Sequence, residues 1–262
     1  MTHNSKDVAQ KSRISSLRMT HASKASHIAS CLSVIDVLAV TMVEKFSTKN
    51  PFDFDVLLSK GHAAAALYSV LDALGELAVP LDSYCEDDSP LYGHVNHHAS
   101  PHIPLSTGSL GHGLPFGLGI ALAKELKGVK EKTVVILSDG ECNEGTTWES
   151  AMIANHHQLC HLIAIVDRNK IQSLGDTEDI LKLEPFKDKW LAFGWEVREI
   201  DGHNHNEILD ALRMNSEQPV CIIANTIKGK GVEFMEDSLA WHYKSPTDAE
   251  LAQAIDLIVQ SK

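Results

Sequence analysis

Val134–Gly145 reads VVILSDGECNEG, a short apolar run that stops abruptly at Ser138-Asp139-Gly140 and carries further acids at Glu141 and Glu144. An aspartate at the end of a buried strand has two uses: it caps the helix that follows, or it holds a metal beside an anionic ligand. What else reaches that strand end decides between them. One helix later a second apolar run, HLIAIVD, leads into RNKIQSLG, and Asn169 falls thirty positions after Asp139. Two oxygen-bearing side chains therefore leave neighbouring strand ends. Magnesium takes near-octahedral oxygen coordination from one or two protein carboxylates or amides, completed by water and a ligand's phosphates. One Asp, one Asn and a backbone carbonyl suit it.

The strand-helix-strand rhythm around this stretch extends along the chain. Apolar spacing predicts helices from Lys6 to about Lys24 and from Ser33 to Phe46, then a strand in DVLLSKGH that runs into a loop. His62 to Leu74 is Ala- and Leu-rich and closes at Gly75, as a helix does, whereas the stretch to Leu105 is rich in Pro, His and Ser and reads as loop. A helix from about Gly113 to Lys127, the strand TVVILS, a helix from about Thr146 to Gln158 and the strand HLIAIVD follow. After Gly194 the alternation continues with WEVREID, NHNEILDALRMN and PVCIIANTI, and Pro246 to Lys262 forms a terminal amphipathic helix. Near-continuous apolar strands between amphipathic helices predict an α/β fold, a mainly parallel β-sheet flanked by helices on both faces. Ligands of such sheets gather at the carboxyl ends of the strands, which is where Asp139 sits. With no internal repeat, low-complexity run or Gly/Ser linker, residues 1–262 read as one domain.

Composition narrows the partners. The net charge is −12, from 35 acids against 23 Lys and Arg, which argues against nucleic acid, whose phosphates require clustered cations. The five cysteines are odd in number and contain no C-x-x-C, which suits reduced thiols in the cytoplasm. The N-terminus lacks the apolar core of a signal peptide and LPFGLGIALA is too short to span a bilayer, so no membrane segment is expected.

Ahead of the aspartate lies STGSLGHGL, Ser106–Leu114, where Gly108, Gly111 and Gly113 let backbone amides approach an anion just before a helix N-terminus. Its G-x-x-G-x-G spacing after Pro104 is not the dinucleotide pattern, which needs G-x-G-x-x-G directly after a strand. The chain has fifteen histidines, four of them within GHVNHHASPH, Gly93–His102. That stretch admits a structural zinc site as an alternative, although it lacks fixed helical spacing and companion Cys ligands.

Taken together these segments resemble the transketolases. The Asp139 and Asn169 segments match the thiamine diphosphate signature, GDG followed at a distance by a terminal N, with Ser138 standing where the family has its first glycine. KASHIAS, LSKGHAAAALYS, YGH, TGSLGHG, SDGECNEG, DRNKIQ, IKGKG and WHYK occur in the family's order between Lys24 and Lys244. The resemblance implies that Asp139, Asn169 and the carbonyl of Ile171 coordinate Mg²⁺, or Ca²⁺ or Mn²⁺ in its place. It implies that Gly140, Gly108, Ser109 and Leu110 line the diphosphate and adjoining atoms of thiamine diphosphate, and that Ser30 and Lys228 neighbour the cofactor. His27, His62, His94 and His242 match the family's active-site histidines, of which His62 and His242 also border the cofactor. Glu144 and Glu149 correspond to acids buried at the subunit interface, in a carboxylate network between cofactor sites.

A full-length transketolase continues into pyrimidine-binding and C-terminal domains, so the chain resembles the N-terminal subunit of a split transketolase. The resemblance implies a two-carbon ketol transfer from a ketose or its phosphate to an aldose, by an α2β2 complex with a separate C-terminal subunit. That subunit would bring the glutamate that activates the cofactor, so this chain alone is expected to be inactive. The alternatives are a subunit of another thiamine diphosphate enzyme, such as one like 1-deoxyxylulose-5-phosphate synthase, and a non-catalytic cofactor-binding scaffold.

Overall fold

The computed structural model describes residues 3–47 and 54–260. Five strands, β1 (Asp55–Leu58), β2 (Thr133–Ser138), β3 (Leu162–Arg168), β6 (Glu196–Asp201) and β7 (Val220–Asn225), form one all-parallel sheet in the order β1-β2-β3-β7-β6. β4 (Ile171–Gln172) and β5 (Gly175–Asp176) make a separate antiparallel ribbon just after β3. The helices are α1 (Ser5–Ser23), α2 (Ile28–Lys45), α3 (Ala64–Leu74), α4 (Gly113–Leu126), α5 (Gly145–His156), α6 (Thr177–Ile180), α7 (Phe186–Ala192), α8 (His205–Arg213) and α9 (Asp248–Gln260).

Side chains alternate across the central strands and feed two cores. Val134, Ile136, Ile163, Ile165 and Ile222 pack on one face with α1, α2 and α3, while Val135, Leu137, Ala164, Val166 and Ile223 pack on the other with residues of α4, α5 and α7. Both faces being covered is why β2 and β3 read as unbroken apolar runs rather than as alternating ones. Ser138 is level with Asp167, and Asp167 with Ala224, so β2, β3 and β7 end side by side.

Most elements fall where the sequence puts them, and the exceptions have local causes. α2 begins at Ile28, five residues before the expected Ser33, because every residue from Ile28 to Met42 is buried and no polar face marks its start. Its N-cap, His27, is left-handed (φ 74°) and makes no side-chain capping bond, so the usual start signal is missing. His62 lies in a 3₁₀ turn, Gly61–Ala63, and α3 follows from Ala64. The β4–β5 ribbon, α6 and α7 were not expected; each is too short to show a period. The last two residues of the expected terminal helix, 261 and 262, lie outside the described residues.

Candidate active site

At the carboxyl ends of β2 and β3 the chain opens into a cleft lined by residues of several distant segments. Asp139 leaves the end of β2 as the N-cap of a short 3₁₀ turn, Gly140–Asn143, so the capping use holds. It is only half of what the carboxylate does. Its Oδ1 accepts the Gly140 N–H (2.7 Å), its Oδ2 accepts the Lys170 N–H (2.6 Å), and Arg168 approaches no closer than 3.4 Å. Asp139 is 1% exposed, and burial together with the nearby Asp167 carboxylate pushes its pKa up despite Arg168. A buried carboxylate so poorly compensated favours a cation beside it.

Asn169 follows β3 directly, and its orientation is set from behind. Its Nδ2 donates to Asp167 Oδ2 (3.1 Å) and Ser33 Oγ (3.3 Å), so Oδ1 faces the other way, where it accepts the Ile171 N–H (3.1 Å). The Ile171 carbonyl accepts from Lys228 Nζ (2.7 Å) and keeps a second lone pair. Asp139, Asn169 and Ile171 all line the cleft and all offer oxygen. Among the described residues no three His, Cys, Asp or Glu side chains gather as a metal cluster. The oxygen donors of Asp139, Asn169 and Ile171 suit a hard cation whose shell is completed by water and phosphate oxygens.

The histidines come together from four distant segments. The His27 ring centroid lies 5.3 Å from His62, 5.7 Å from His94 and 5.0 Å from His242, and the His27 backbone N–H donates to the His242 backbone carbonyl (2.9 Å). Burial, then His94, Lys228 and Lys60, lowers the His27 pKa to about 4. Burial, then Lys228, His27 and Lys60, lowers that of His242 to about 3. His62 is pushed well below the ordinary imidazole value, first by burial and then by Lys60. These three rings are neutral at neutral pH, so each offers one donor and one acceptor nitrogen. Lys228, 1% exposed, is lowered to about 8 by burial and by Lys60, and remains mainly cationic at pH 7.

Of the other expected residues, Ser30, Gly108, Leu110 and Gly140 line the same cleft, as does Ser138. A Cβ on Gly108 would first meet the His94 side chain, at 3.5 Å. Ser109 is exposed and outside the lining. Glu144 and Glu149 are likewise exposed and outside it; the acid of this segment that turns inward is Glu141. Glu141 accepts from Ser59 Oγ and the Ser138 N–H (3.3 Å), and takes the Gly111 N–H (2.9 Å); Ser59 takes the Gly113 N–H (3.1 Å). The expectation that these two amides greet an anion is thus corrected, because both are already paired. Nor do the four Gly93–His102 histidines converge as one set: His94 lines the cleft, His97 bonds Ser106 with the His98 ring beside it (3.9 Å between centroids), and His102 pairs with Glu76.

Sequence reasoning missed what lies behind the cleft. Lys60 and Asp167, both fully buried, form an ion pair, and Asp167 also accepts from Ser33 and Thr226. Burial would raise the Asp167 pKa, but Lys60 and these hydroxyls bring it below the ordinary value. Gln172 and Ser173 of the ribbon complete the lining. Lys60, Asp167 and Glu141 all sit inside the conspicuous strings SKGH, DRN and SDGE, which was the only signal for them.

Known proteins resemble the chain over most of its length. Residues 4–256 match the family model described as transketolase, thiamine diphosphate binding domain. An apulose-4-phosphate transketolase subunit of Phocaeicola vulgatus is 36% identical over 259 residues, covering 94% of this chain and 91% of that protein. The 6-deoxy-6-sulfo-D-fructose transketolase subunit SqwG of a Clostridium species is 40% identical over 231 residues, covering 85% and 84%. The crystal structure of a transketolase from Campylobacter jejuni superposes with a TM-score of 0.87 at 28% identity, over 97% of this chain and 42% of that one.

Proposed function

The chain belongs to the transketolase family, and we propose that it is the cofactor-binding half of a divided transketolase. Residues 1–262 would act as one diphosphate-binding domain, working in the cytoplasm with a separate subunit that carries the pyrimidine-binding and C-terminal domains, as an α2β2 assembly. The observation that carries this reading is the meeting of Asp139, Asn169 and the Ile171 carbonyl with four histidines in one cleft. Relatives named as transketolase subunits that match this chain over most of their length support the divided arrangement.

In this reading Asp139, Asn169 and the Ile171 carbonyl hold Mg²⁺, with Ca²⁺ or Mn²⁺ able to replace it, against the diphosphate of thiamine diphosphate. When bound, thiamine diphosphate supplies the carbon nucleophile that cleaves a ketose and carries its two-carbon unit to an aldose. Gly108, Leu110 and Gly140 border the diphosphate, Ser109 reaches it from the same loop although it lies outside the lining here, Ser30 lies beside it, and Lys228 adds positive charge. His27, His62, His94 and His242 hold the sugar hydroxyls and donate or accept their protons as the bond breaks and re-forms. Glu144 and Glu149, exposed here, become buried against the partner and link the cofactor sites.

The test is native affinity purification of the chain from its host, followed by assay of the recovered complex for ketol transfer. A stoichiometric partner with a pyrimidine-binding domain, and activity that requires thiamine diphosphate and Mg²⁺ and disappears in Asp139→Ala, is the expected result. Ketol transfer by the purified chain alone, or full activity in Asp139→Ala, would refute it. Pyruvate decarboxylation by the complex would move it to a different thiamine diphosphate class.

A further inference from the structure

A second buried charge cluster lies outside the cleft lining, behind the turn that carries Lys228. Its centre is Asp36 of α2, 5% exposed. Arg13 of α1 forks onto it, with Nη1 donating to Oδ1 (3.0 Å) and Nη2 to Oδ2 (2.6 Å), a geometry matched to a carboxylate. Burial pushes the Asp36 pKa up, but Arg13, His203 and His205 overcome it and hold it well below the ordinary value.

The cluster reaches the Lys228 turn at two points. His203 Nε2 accepts the Ile227 N–H (2.9 Å), so that nitrogen carries no proton. The imidazole proton therefore sits on Nδ1, 2.7 Å from Asp36 Oδ2, to which it donates. Asp36 thus fixes the tautomer that His203 needs to receive Ile227. On the far side of the turn Arg13 Nε donates to the Lys230 carbonyl (3.3 Å). Between these two grips the turn has no slack: Gly229 has φ +84°, a Cβ there would lie 2.4 Å from the Met235 carbonyl oxygen, and its N–H donates to the Ala29 carbonyl (3.0 Å).

We propose that His203, oriented by Asp36, is a positioning residue that clamps residues 227–230 and so presents the Lys228 ammonium to the cofactor's diphosphate. The clamp holds Lys228 Nζ at 2.7 Å from the Ile171 carbonyl and 3.1 Å from His242 Nδ1. A lysine has a flexible four-carbon stem, so a defined position requires a fixed backbone beneath it. The proposal rests on the reading of Lys228 as a diphosphate contact.

The test uses the complex of this chain with its partner subunit, in the presence of Mg²⁺. Hydrogen exchange of the Ile227 amide reports the grip itself, and dissociation constants for thiamine diphosphate and for thiamine, measured with and without Lys228→Met, report its purpose. His203→Ala is expected to speed Ile227 exchange about tenfold or more and to weaken thiamine diphosphate about tenfold while leaving thiamine unchanged. It should add nothing in the Lys228→Met background, since the two act as one unit. His203→Gln, whose Oε1 accepts and whose Nε2 donates, should stay within about twofold of the parent in both readouts. Unchanged Ile227 exchange in His203→Ala, or an equal loss of affinity in the Lys228→Met background, overturns the proposal, as does a His203→Gln variant that behaves like the alanine. If Lys228→Met alone leaves thiamine diphosphate binding intact, the diphosphate reading fails, and faster Ile227 exchange distinguishes that from failure of the grip.

Discussion

Lys60→Met removes the cation from a fully buried ion pair and leaves the Asp167 carboxylate behind. Removing one partner of a buried pair costs about 3–5 kcal/mol, because the remaining charge is desolvated and uncompensated. Asp167 still accepts from Ser33 (2.7 Å), Thr226 and Asn169 (3.1 Å), which places the cost at the lower end, about 3 kcal/mol. For a chain of this size that corresponds to a fall in Tm of about 6–12 °C. The pH dependence sharpens the test. With Lys60 present, the lowered Asp167 pKa contributes stability above the unfolded carboxyl value, and this is lost only as pH falls through the lowered one. Without Lys60, burial dominates and the folded-state pKa rises above the unfolded one, so the folded variant takes up a proton first. Its deficit relative to the parent should therefore shrink between pH 7.5 and pH 5. Urea unfolding at both pH values, with the Asp167→Asn and double variants, measures the deficit and the coupling. A cost below about 1 kcal/mol, well under the usual range for a broken buried pair, or a deficit that grows on acidification, would refute the reasoning.

Gly61→Ala would place a Cβ 2.4 Å from the Thr107 carbonyl oxygen and 2.8 Å from the Gly108 nitrogen, so the loop bearing Gly108 must move. Overpacking of this kind costs about 1–3 kcal/mol, and calorimetric Mg²⁺-thiamine diphosphate binding should weaken by about tenfold or more, whereas unchanged affinity would show that the loop is not a diphosphate contact. The lowered pKa values of His27 and His242, about 4 and about 3, mean that the unfolded chain binds their protons first. Stability should fall as pH drops from about 6.5 towards 4, and His27→Gln should flatten that slope in denaturant titrations; a parent slope left unchanged by the substitution would count against it.

Much of the fold was legible because its strands are buried on both faces. VVILS and HLIAIVD carry their assignment in composition alone, and Gly75, left-handed at φ 79°, ends α3 where the sequence put it. The start of α2 was not legible, since a helix buried all round has no amphipathic period and His27 supplies no capping bond. In the candidate site, Asp139 and Asn169 could be paired from spacing because one helix separates two parallel strands whose ends lie side by side, whereas Ile171 came from the family resemblance. Ser109, Glu144 and Glu149 came from motif position only, and the structure places all three outside the cleft lining.

By itself the sequence determined the strand order along the chain, the carboxyl ends at which ligands gather, and the family whose motifs it carries. The tertiary structure decided which polar groups are already spent. Gly111 and Gly113 looked available to an anion until Glu141 and Ser59 were found on their amides, and Asp36 is singled out only by Arg13 and His203, which converge on it. Periodicity and capping are local and can be read from neighbours in the chain. Desolvation and hydrogen-bond pairing are set by groups far apart in sequence, such as Asp36 and His203, or Lys60 and Asp167, and exist only once the chain has folded.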